Sequence, residues 1–103
     1  MEKFGLDFDI VKNIALIEKL KCGLLSGTAD LFKGMAAADL SVAEKKELLS
    51  EIIISAYLLS DKLGIEYKEL NETIQNKLKA GLLDGESPLS KESSLLYQFI
   101  HKE

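Results

Sequence analysis

The carboxylates of this sequence are spaced so that they could do chemistry. Glu44, Glu47, Glu51 and Ser55 step by three, four and four, which puts them on one face of a helix. Asp30 is a lone acid between Ala29 and Leu31, inside an earlier apolar run. Carboxylates projecting from two neighbouring helices can hold Mg²⁺, a hard cation that takes oxygen ligands and keeps several waters. The same spacing also describes a solvated acidic strip with Asp30 facing water, because charge runs on helices are usually surface. Other chemistries have less to work with. Cys22 and His101 are the only residues of their kinds. Cys22 lies on an apolar stripe and reads as a buried structural cysteine. His101, close to the C-terminal end, reads as solvated. No Cys/His set for zinc is present. The stretch Gly23 to Gly27, GLLSG, lacks the Lys-Ser/Thr ending of a phosphate loop and is embedded in a helical run.

Helices must position these groups. From about Ile10 to Ala38 there is no Pro, and Ile10, Ile14, Ile17, Leu24, Thr28, Leu31 and Met35 recur at helical spacing. A second stripe, Val11, Ala15, Cys22, Leu25, Ala29 and Phe32, lies beside the first. Two stripes predict a helix covered over much of its circumference. Gly23 and Gly27 sit four apart inside it, at about 0.5–1 kcal/mol each relative to Ala, which predicts a kink or a close helix–helix approach. Ser41 with Glu44 three residues on is a capping box. It opens a helix over Val42 to Leu63, and Gly64 followed by Ile65 fits a Schellman stop. This helix is apolar almost all round, so it must be covered on several sides, by its own domain or by another subunit. A third helix runs from about Tyr67 to Lys79, with Leu70, Ile74 and Leu78 inside and Glu69, Asn71, Glu72, Gln75 and Asn76 outside. Gly81 to Pro88 reads as a loop. Ser87 and Pro88 would cap and open a last short helix, with Leu95, Leu96, Phe99 and Ile100 as its buried edge. The expectation is an all-α bundle of about four helices with no strand.

Composition bounds the rest. At 103 residues and 11.4 kDa the chain is expected to form one domain, residues 1–103. Apolar residues make up 47% and charged residues 29%, which argues against disorder. A net charge of −4 disfavours nucleic acid and anionic membranes. One cysteine leaves no disulfide within the chain and fits a reducing compartment. Met1 to Asp9 shows no apolar core behind a basic start. The longest apolar block, Ile52–Ile54 with Ala56–Leu59, is far short of the roughly 20 residues of a membrane span. A cytoplasmic location is the default expectation.

The stretch Glu47 to Lys79, ELLSEIIISAYLLSDKLGIEYKELNETIQNKLK, resembles the MazG-like proteins of the all-α nucleoside triphosphate pyrophosphohydrolase superfamily, most of all a small bacterial branch. SGTADLFKGM, Ser26 to Met35, is similar to that branch's first-helix motif, more weakly. With the tail Ser94 to His101, the resemblance covers the chain from about Ile14 onward. It implies a MazG-like helical bundle, assembled as a homodimer or homotetramer with the central helices packed across subunits. It also implies a nucleotide ligand and Mg²⁺ held by paired acids on two helices. In that pattern Asp30 takes the second acid of the first pair, but the first falls on Gly27. Glu51 takes the Asp position of the second pair, but its Glu position falls on Leu48, with Glu47 next door. An Asn usually found after the third helix falls near Gly81. Asp30, Glu51 and Glu47 are therefore the candidate metal ligands, with Glu47 also the candidate base that orients a water. Two or three carboxylates could bind one Mg²⁺ weakly.

Three functions are compatible with these residues. The first is a MazG-like scaffold with a degenerate metal site and a binding or regulatory role. The second is an active Mg²⁺-dependent hydrolase releasing a nucleoside monophosphate and pyrophosphate. The third is an assembly protein with no ligand.

Overall fold

The structure is a computed structural model that describes residues 2–83 and 88–102, with side chains described for 9–81 and 88–101. All regular elements among the described residues are helical: α1 (Glu2–Ala37), α2 (Val42–Lys62), α3 (Tyr67–Leu83) and α4 (Ser90–Lys102). They form two compact units, Met1–Ile65 and Glu66–Glu103. In the first α1 packs on α2, and in the second α3 packs on α4.

The first unit is an antiparallel helical hairpin. Helix α1 begins eight residues earlier than the apolar pattern predicts, because the mixed Glu2–Asp9 stretch holds no Pro to stop it. It ends at Ala38, whose φ of 56° is left-handed. The Asp39 amide donates to Gly34 O and the Ala38 amide to Met35 O, a Schellman arrangement in which Ala takes the place Gly usually fills. Leu40 then folds onto Gly34, so closely that a Cβ there would collide with its side chain. Helix α2 starts at Ser41, whose hydroxyl accepts from the Glu44 amide at 3.1 Å while Glu44 accepts from the Ser41 amide at 3.1 Å. It stops as expected: Gly64 has φ 82°, the Ile65 amide donates to Ser60 O and the Gly64 amide to Asp61 O. The Ser60 hydroxyl, 5% exposed, also donates to Ile65 O at 3.0 Å and ties the stop down.

The seam between the helices is narrow. From α1 it takes Leu16, Ile17, Leu20, Leu24, Gly27, Thr28 and Leu31, and from α2 Leu48, Ile52, Ser55 and Leu59, all buried or half-buried. Of the glycine alternatives, the close approach is the one observed. A Cβ at Gly27 would stand 3.4 Å from Ile52 Cγ1, and one at Gly23 would stand 3.8 Å from Ser55 Oγ. The second stripe of α1 is a different matter. Val11, Ala15, Cys22, Leu25, Ala29 and Phe32 are all exposed, Leu25 at 73% and Phe32 at 61%. Cys22 is thus corrected from buried to exposed. Its stripe faces away from α2, and a two-helix seam can cover only one side of each helix. On α2, likewise, Leu49, Ile53, Ile54 and Leu58 are exposed. Leu31, at 7%, is the one large apolar side chain buried among the described residues.

The second unit departs further from expectation. Helix α3 runs through Gly81 to Leu83, where a loop is expected. Gly81 lies inside the helix, and among the described residues a Cβ there would meet the Ser93 hydroxyl at 3.9 Å. Leu70, Ile74 and Leu78 are half-buried as expected, but so are Asn71 and Gln75, placed outside by the pattern. Pro88 does not open α4. It lies in a turn, and the helix begins at Ser90 with the Ser93 amide on Leu89 O. The proposed cap, Ser87, lies outside the described residues. Of the expected buried edge only Ile100 is half-buried, while Leu95, Leu96 and Phe99 are exposed. His101 is exposed, as expected, and stacks on Tyr97 with 5.5 Å between ring centroids.

Ser41→Ala removes one half of the capping box and is expected to lower unfolding stability by about 1 kcal/mol in urea titration. The Ser41 amide and then its hydroxyl hold the Glu44 carboxyl below its ordinary value of 4.5. A carboxyl lowered on folding contributes stability that is present above its unfolded value and lost as pH falls through its folded one. Glu44→Gln should therefore flatten the loss of stability below about pH 4.5. Gly27→Glu forces a carboxylate against Ile52 and is expected to cost about 3 kcal/mol or more, read in the same titration.

Candidate functional site

The candidate ligands come from the two helices of the first unit. Gly27 faces Ile52 and Gly23 faces Ser55, which fixes how far along each helix the acids stand. Asp30 is seven residues beyond Gly23, two turns on, so it lies on the same side of α1 as Gly23. Glu51 is one turn before Ser55 and Glu47 one turn before that, on the same side of α2. Helical geometry therefore brings Asp30, Glu47 and Glu51 to one side of the hairpin. It does not gather them. All three are exposed, and among the described residues no group of three or more His, Cys, Asp or Glu side chains could hold a metal ion. A row of solvated acids does not fit a fixed multi-metal centre.

The two positions where the resemblance would place further acids, Gly27 and Leu48, both lie in the helix contact. Gly27 is buried against Ile52 and Leu48 is half-buried in the same seam. Carboxylates there would be desolvated with apolar neighbours and no partner, which costs several kcal/mol in effective terms. Gly27 and Leu48 thus belong to the contact between α1 and α2.

Next to the acids, on the same side, the hairpin carries a groove of about 390 Å³. Leu16 and Leu20 of α1 and Leu58 of α2 line it, Gly23 and Ser55 stand at the end nearer Glu51, and Lys19 and Lys62 complete the wall from opposite helices. The sequence analysis did not single out these two lysines. Lys19 is four before Gly23 and Lys62 seven beyond Ser55, a spacing that becomes a signal only once the register of α1 against α2 is known. A second cavity, of about 290 Å³, lies at the α1–α2 turn between Gly34, Met35, Ala38, Leu40 and Lys45. The aromatic residues that could meet a base are dispersed: Phe32 and Tyr67 are exposed and Tyr57 is half-buried.

No helix among the described residues is long and apolar enough to cross a membrane. No curated protein and no solved structure matches the chain. The family model of the MazG-like family matches residues 10–96, which spans the α1–α2 hairpin from Ile10 onward and most of the second unit. That match relates the chain to nucleoside triphosphate pyrophosphohydrolase-like proteins. The chain belongs to the MazG-like family.

Proposed function

We propose that this chain is a MazG-like protein with a reduced acidic site, which binds a nucleotide in a regulatory role and does not turn it over. The observation that supports this reading is the fate of positions 27 and 48. Both serve the apolar seam, so a full set of acids and the observed helix contact exclude one another. Asp30, Glu51 and Glu47 remain on one side as oxygen donors. Open to water and spread along the helix axis, they do not converge on one cation and leave Glu47 without a fixed water to activate. The exposed stripes of α1 and α2 give the protein a second property, assembly into a homodimer or homotetramer. Contiguous apolar surface of this kind marks an interaction face.

The test is pyrophosphate release from a panel of ordinary and modified nucleoside triphosphates, with Mg²⁺ or Mn²⁺, run beside Glu51→Ala. The expected result is no release above the background of Glu51→Ala. Turnover that Glu51→Ala abolishes would overturn the reading and show that Asp30, Glu47 and Glu51 suffice for hydrolysis.

A further inference from the structure

No further inference is drawn: the strongest candidate, the exposed stripe of α1 from Val11 to Phe32 with Cys22 at its middle, is an unpartnered apolar helix face, and nothing in the structure shows what covers it.

Discussion

The structure depends on one contact, the close approach of α1 and α2 at Gly27 and Ile52. Gly27 is buried there, a Cβ on it would already touch Ile52 at 3.4 Å, and apolar groups at Leu24, Leu31, Leu48 and Leu59 close around the point. The contact sets the register of the hairpin. The register puts Gly23 opposite Ser55, opens the groove beside them, and carries Lys19 and Lys62 to its walls. It also places Gly27 and Leu48 inside the seam, while Asp30, Glu47 and Glu51 stay exposed beside it.

The same contact leaves a debt in apolar surface. A pair of helices can shield one side of each, and the second stripe of α1, from Val11 to Phe32, and the Leu49–Ile53 side of α2 are left in water. At roughly 25 cal/mol per Å² of apolar surface removed from water, covering such stripes is the largest stabilisation still open to the chain. Assembly with further copies would therefore stabilise the hairpin itself, as well as adding a quaternary structure to it.

Much of this was legible in the residues. The capping box at Ser41 and Glu44 and the stop at Gly64 are local events, decided by side chains three or four positions apart, and both occur as the sequence predicts. The all-α class was legible because long periodic helices carry strong signals, and the MazG-like family through the resemblance carried by Glu47 to Lys79. The end of α1 was less plain because its left-handed residue is Ala38 rather than a glycine. The second unit is less legible: Gly81, of a type that often breaks helices, lies inside α3, and Pro88, which suits a first helical position, lies in a turn before α4. Cys22 was misplaced because periodicity shows that a stripe is apolar and says nothing about which stripe the neighbouring helix covers. The lysine groove lay beyond sequence reasoning altogether, as Lys19 and Lys62 are 43 residues apart and only the helix register relates them.

We propose that another copy of the chain covers the exposed stripes of the α1–α2 hairpin. Light-scattering molar mass of the full chain across a dilution series tests it most directly. The account predicts a mass of two or four times 11.4 kDa, with unfolding transitions that move to lower denaturant on dilution. A stable species of 11.4 kDa that unfolds cooperatively and independently of concentration would contradict it.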